Sequence, residues 1–184
     1  MEGIDRHWLF TWTTYGQWLP GDPRGSVTRI RDRSGPRHEH DLPGTPYDEN
    51  LPGLYESAMK RMKGPPIRFT KLHADHLLPQ FQETADYRRW LLVGTAVMAN
   101  HVHLAVGVSG DPPPEEILAD FKSYGSRALN RHFPKPKSET WWTTSGSKRK
   151  LKQEDAVLRA VAYLRRQEYP LLIWINPVCD QWLR

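Results

Sequence analysis

The sequence predicts an α+β sandwich, an antiparallel sheet with two helices on one face and a third helix on the other. Three observations carry that expectation. Residues 7–14 and 101–108 alternate large apolar residues with polar or small ones, the period of two that a strand requires. Three other segments place apolar residues at helical spacing. The elements also follow in an order, strand, helix, strand, strand, helix, strand, that brings such a sheet together.

In residues 7–14, Trp8, Phe10 and Trp12 fall on one side and His7, Leu9, Thr11 and Thr13 on the other. Residues 20–66 then break all periodicity, with Gly21, Pro23, Gly25, Gly35, Pro36, Pro43, Gly44, Pro46, Pro52, Gly53, Gly64 and Pro65. Arg24, Arg29, Arg31, Arg33 and Arg37 recur among them, so the segment reads as an inserted basic surface loop. A loop that long inside a compact fold points to function or mobility. Residues 70–87 predict a helix with Leu72, His76, Leu77 and Phe81 inward and a kink or break at Pro79. Residues 89–98 are apolar on both faces, Leu91, Val93 and Val97 against Trp90, Leu92 and Ala96, as in a central strand.

After a turn at Ala99 and Asn100, residues 101–108 alternate cleanly. Val102, Leu104, Val106 and Val108 belong under the two helices, and His101, His103, Ala105 and Gly107 face the other way. Pro112, Pro113 and Pro114 followed by Glu115 and Glu116 open a helix whose stripe is Ile117, Phe121, Tyr124 and Ala128, ended by Pro134 and Pro136. Residues 141–144 predict a short strand, 148–152 a basic turn, and 154–167 a third helix with Val157, Ala160, Val161 and Leu164 inward. Pro170 ends that helix, and residues 171–184 read as a packed or fraying terminus. Taken together this is the ferredoxin-like arrangement in one domain spanning residues 1–184.

Net charge is +5, a modest bias toward anionic partners such as nucleic acid. The single Cys179 excludes an internal disulfide framework. No stretch reaches the roughly 18 apolar residues of a membrane span, and Met1-Glu2-Gly3-Ile4-Asp5 lacks the order of a signal peptide. The expectation is a cytoplasmic protein with no membrane partner.

His101 and His103, two apart on a strand, project side by side, and neutral imidazoles at that spacing can share one divalent metal. Ala105 and Gly107 beside them leave room for something bulky to approach. Tyr163 and Gln167 lie at i and i+4 on the third helix, so both emerge on one side of it. A tyrosine oxygen is a competent nucleophile for a phosphodiester, and its ordinary pKa of about 10 means that nearby cations must assist it. The Gln167 amide oxygen can act as a third, hard ligand. Arg159, Arg165 and Arg166 add positive charge along that helix. Tyr124, beside Lys122 on the second helix, is the alternative nucleophile, but its place in an apolar stripe turns it toward the sheet from the side opposite the histidines. Trp142, Lys148, Arg149, Lys150 and Lys152 interleave aromatic and cationic residues as single-strand binders do, and Arg166 extends that candidate nucleic-acid surface. His38, Glu39 and His40 mimic a metal site but sit in a Gly- and Pro-rich loop without a scaffold.

The string Val97-Met98-Ala99-Asn100-His101-Val102-His103-Leu104 resembles the histidine block of single-tyrosine HUH transposases, including the REP-associated tyrosine transposases. Ala162-Tyr163-Leu164-Arg165-Arg166-Gln167 is similar to their nucleophile helix. The resemblance implies a ferredoxin-like fold, with His101, His103 and Gln167 as ligands to Mg²⁺ or Mn²⁺ and Tyr163 as nucleophile. It also implies single-stranded, hairpin-forming DNA as partner, while the residues leave open a monomer or a homodimer of exchanged helices. The chain departs in having Ala99 where proline is usual and in the long 20–66 segment. The activity implied is metal-dependent cleavage and strand transfer through a 5′-phosphotyrosine. A non-catalytic single-strand binder on the same fold is the alternative, and a phosphodiesterase using water a third reading.

Overall fold

A computed structural model describes residues 3–23 and 52–181. Strand β1 (Arg6–Thr13), helix α1 (Pro52–Lys60), helix α2 (Lys71–Arg88), β2 (Leu91–Val97), β3 (His101–Val108) and α3 (Pro114–His132) are followed by β4 (Ser147–Leu151), α4 (Glu154–Arg165), β5 (Leu172–Ile175) and the short α5 (Pro177–Asp180). The strands form one sheet in the order β4-β1-β3-β2-β5, every neighbouring pair antiparallel. The fold is therefore an α+β sandwich, with α2 and α3 on one face and α4 on the other.

Alternation along β1 and β3 sorts the two cores. Phe10, Trp12, Val102, Leu104, Val106 and Val108 meet Leu77 and Phe81 of α2 and Ile117, Phe121 and Leu129 of α3. Leu9, Ala105, Val93 and Ala96 meet Val157, Ala160, Val161 and Leu164 of α4 on the opposite face. Burial of these side chains removes apolar surface from water on both sides of one sheet, which makes β3 and β2 its rigid centre.

Strand β2 departs from simple alternation. A bulge between Leu92 and Gly94 shifts its register on β3 by one residue. Val97 consequently joins Leu92 in the α2 and α3 core, whereas Ala96 joins Val93 under α4, the reverse of the grouping that an unbroken period of two predicts. Gly94 at the bulge has no space for a side chain, since a Cβ there would lie 2.7 Å from Ile175 Cδ1 and 3.1 Å from Leu164 Cδ1. Its absence lets β5 and α4 close over the sheet.

Other expectations are corrected as well. Pro79 neither breaks nor splits α2, which runs without interruption from Lys71 to Arg88. Leu72 is 56 % exposed, the inner stripe being Ala74, Leu77, Phe81 and Ala85, from which Leu72 stands about 200° around the helix at its offset of two from Ala74. Residues 141–144 form no strand apart from a single bridge between Thr14 and Trp142, and the basic segment predicted as a turn is edge strand β4. Lysines disfavour strands locally, but the free edge of β1 offers a ladder, and charge on an edge strand resists further pairing. The C-terminal residues Leu172–Ile175 pair with β2 as β5 instead of merely packing or fraying. Within the 20–66 segment, residues 52–60 are helix α1, whereas Arg24, Arg29, Arg31, Arg33, Arg37, His38, Glu39 and His40 lie outside the described residues. Among the described residues no helix is long and apolar enough to cross a membrane. Cys179 is buried, and that burial pushes its thiol up to about 11, away from reactivity.

Candidate active site

His101 and His103 share the α4 face of β3, and the antiparallel register sets Thr13 of β1 opposite His101 and Thr11 opposite His103. The two imidazoles converge, with Nε2 atoms 3.0 Å apart and ring planes at 81°. Each Nδ1 is held from behind. Asn100 Oδ1 lies 2.7 Å from His101 Nδ1, and Thr11 Oγ1 lies 2.7 Å from His103 Nδ1. The tautomer with hydrogen on both Nδ1 atoms donates to Asn100 and Thr11 and leaves both Nε2 lone pairs directed into the same space. In that tautomer two lone pairs face one another at 3.0 Å and repel, and a cation accepting both removes the repulsion.

Burial keeps the pair neutral. His103 is only 4 % exposed, and desolvation, helped by the neighbouring His101, pushes its pKa down to about 3 against the opposing effect of a hydrogen bond to the Gln167 side chain. Burial lowers His101 as well. Both imidazoles are thus in the uncharged form that ligates metal at neutral pH.

Helix α4 delivers the tyrosine. Its inner stripe Val157, Ala160, Val161 and Leu164 seats it on the small residues Ala96 and Ala105, and Tyr163, next to Leu164, reaches over the histidines from the edge of the stripe. Tyr163 Oη is 3.3 Å from His103 Nε2, the rings are 5.0 Å apart at 78°, and the residue stays 42 % exposed. The helix ends at Arg165, earlier than predicted, so Gln167 lies past the cap. It still returns to the site, donating from Nε2 to the Tyr163 carbonyl at 3.0 Å while its side chain engages His103.

The structure therefore brings together His101, His103, Tyr163 and Gln167, all from one chain. Among the described residues no cluster of three His, Cys, Asp or Glu side chains stands ready to hold a metal. The donor set here is two imidazoles and an amide oxygen, which suits a divalent ion completed by water or phosphate. Sequence reasoning missed Thr11 and Asn100, whose roles depend on the β1–β3 register and on the turn before His101.

The predicted nucleic-acid residues divide. Trp142 is 4 % exposed in the α2 and α3 core, its Nε1 donating to Lys122 O and Ser126 Oγ, so its ring is closed to a stacking base. On β4, alternation sends Lys148 toward Glu115 and Lys150 over the Trp8 ring on the far face, while Arg149, paired with Leu9, shares the histidine face. Lys152 lies exposed between β4 and α4, and Arg166 caps α4 beside Gln167. Arg159 and Arg165 pair with Asp155 and Asp180. Tyr124 lies on α3, beyond the sheet from the histidines, with Arg127 packed 4.9 Å over its ring.

No curated protein matches the sequence. Among solved structures, a REP-associated tyrosine transposase bound to a REP hairpin is 10 % identical, with 89 % of this chain and 68 % of that one covered and a TM-score of 0.43. A candidate transposase from Deinococcus radiodurans R1 is 14 % identical, with 92 % and 96 % covered and a TM-score of 0.44. The family model described as transposase IS200-like matches residues 62–167, more than half of the 184-residue chain. Because that segment runs through both histidines, the tyrosine and the glutamine and ends at Gln167, this chain belongs to the IS200-like transposases.

Proposed function

We propose that this transposase cleaves and rejoins single-stranded, hairpin-forming DNA through a covalent 5′-phosphotyrosine on Tyr163. The observation that supports the reading most directly is the Tyr163 hydroxyl 3.3 Å from His103 Nε2, beside two Nε2 atoms that converge at 3.0 Å. Tyr163 Oη attacks the scissile phosphorus, the bond from phosphorus to the 3′-oxygen breaks, and that oxygen leaves as a hydroxyl. The proton lost by the phenol is balanced, through solvent, by the one the 3′-oxygen gains. Attack by a different 3′-hydroxyl on the phosphotyrosine reverses these steps and joins two strands.

His101 Nε2, His103 Nε2 and Gln167 Oε1 are the donors for Mg²⁺ or Mn²⁺, which when bound offsets the negative charge of the non-bridging phosphate oxygens. Asn100 and Thr11 hold the imidazoles, and the exposed position of Tyr163 leaves its oxygen open to a strand. The tyrosine and histidines meet within one chain, so this reading needs no helix from a second copy.

The test is a denaturing gel of an end-labelled pool of hairpin oligonucleotides with randomised flanks, incubated with Mn²⁺ or with chelator. A protein-linked band that requires Mn²⁺ is expected. Binding with neither adduct nor cleavage indicates the non-catalytic binder, and cleavage without adduct indicates attack by water.

Replacing Thr11 with Val, close in shape but unable to accept from His103 Nδ1, is expected to weaken Mn²⁺ binding about 10- to 100-fold. Calorimetric titration reads this. Unchanged affinity would show that Thr11 does not orient the ring.

A further inference from the structure

Trp18 stands in the turn that follows β1, on residues 14–22, and is 38 % exposed. Its ring approaches His101 edge to face, with centres 6.5 Å apart and planes at 82°. Four rings then follow in a row, Trp18, His101, His103 and Tyr163, each turned by about a right angle from the last. Both ends of the row are open to solvent and its middle is sunk into the sheet, where His103 is 4 % exposed.

The backbone under Trp18 is strained. Its φ is +49°, a left-handed conformation that bulky residues rarely adopt. The surroundings enforce it. Gln17 is buried, its amide donating to Ile67 O at 3.3 Å and its N–H to Thr14 O at 3.3 Å, while Thr14 Oγ1 donates to the same Ile67 carbonyl at 2.6 Å. Gly16, at φ +76°, fits against Pro66, where a Cβ would come within 2.8 Å of Pro66 Cα. Asp22, also buried, closes the turn by donating its N–H to Leu19 O at 3.0 Å. The exposed part of this large aromatic ring lies beside the histidine pair, where it can meet a bound strand.

Building on the reading of Tyr163 as nucleophile, we propose that Trp18 is the stacking platform for the base of the nucleotide that leaves with the 3′-hydroxyl. In-line displacement puts the departing oxygen across phosphorus from the attacking one. Tyr163 stands over His103, and β3 runs back from there to His101 at the end of the sheet, where Trp18 waits. A phosphate above the histidines with Tyr163 on one side therefore directs its 3′-linked sugar and base toward Trp18. Every base has a flat π-face, so the platform positions the strand without demanding one sequence.

Trp18→Gly removes the ring and also relaxes the left-handed backbone, so its melting temperature should equal or exceed that of the parent. Binding is measured in a Tyr163→Phe background with Mn²⁺, where no adduct confuses the reading, by fluorescence anisotropy. The probes are a deoxyadenylate dodecamer and a chain of the same length made of abasic residues. Trp18→Gly should weaken the dodecamer about tenfold and the abasic chain less than about twofold, while Trp18→Phe retains most of the affinity. Equal effects on both probes, or none, would overturn the platform. In protein with Tyr163 intact, one abasic residue just 5′ of the cut should lower adduct yield about tenfold only when Trp18 is present. A Trp18-dependent penalty on the 3′ side instead would overturn the assignment of the nucleotide. Because binding is read without adduct formation, failure of the nucleophile assignment leaves the dodecamer result standing on its own.

Discussion

Tyr163→Phe is expected to abolish the covalent protein–DNA band, by roughly 10³-fold or more, while single-strand affinity and thermal stability stay close to those of the parent. The substitution removes one oxygen. The ring that packs 5.0 Å from His103 remains, and at 42 % exposure the side chain contributes little to the core, so the cost in stability should be under about 0.5 kcal/mol. Gel quantification of adduct, anisotropy for binding and a thermal melt read the three quantities. Tyr124→Phe supplies the control, since that phenol lies across the sheet with Arg127 over its ring. Adduct that survives in Tyr163→Phe and disappears in Tyr124→Phe would transfer the nucleophile to α3 and defeat the proposed centre.

His103→Ala should have an effect of comparable size for a different reason. It removes one of two converging imidazoles, so Mn²⁺ binding in calorimetric titration should drop below detection, and adduct formation should fall by roughly 10²-fold or more. His7→Ala, on the same face of β1 but opposite Gly107 at the other end of the sheet, should retain both. Normal Mn²⁺ binding by His103→Ala would exclude the histidine pair as the metal site. The same residue makes a pH prediction for the metal-free protein. Burial holds folded His103 down to about 3, whereas the unfolded chain takes up its proton near the ordinary 6.5. Between those values the unfolded state binds more protons, so stability should fall as pH drops from about 6.5 toward 3. His103→Ala should flatten that dependence in denaturant titrations.

The central elements were legible because their periods are strong. Val102, Leu104, Val106 and Val108 alternate with His101, His103, Ala105 and Gly107 without interruption, and each set lies on the face that this predicts. The stripe Val157, Ala160, Val161 and Leu164 similarly placed α4 on the sheet. Strand β4 was illegible because Lys148, Arg149 and Lys150 carry no apolar period, and only the ladder with β1 makes them extended. Without that strand assignment, the separation of Arg149 from Lys148 and Lys150 onto opposite faces could not be seen. Trp142 looked like a surface aromatic among cations, and its burial follows from contacts with Trp12 and Phe69, both distant in the chain.

From residue order alone came the α+β class, the two-sided sheet and the pairing of His101 with His103, because each rests on a repeat or spacing within a single element, whereas Tyr163 and Gln167 were selected by an i, i+4 spacing together with the family resemblance. Tertiary structure decided what depends on register between elements. The β1–β3 ladder puts Thr11 behind His103, the bulge at Gly94 sets which apolar residues α4 covers, and the turn after β1 lifts Trp18 beside His101. Local periodicity specifies which face a side chain takes; which neighbour it meets across a strand pair is set only when distant segments pack.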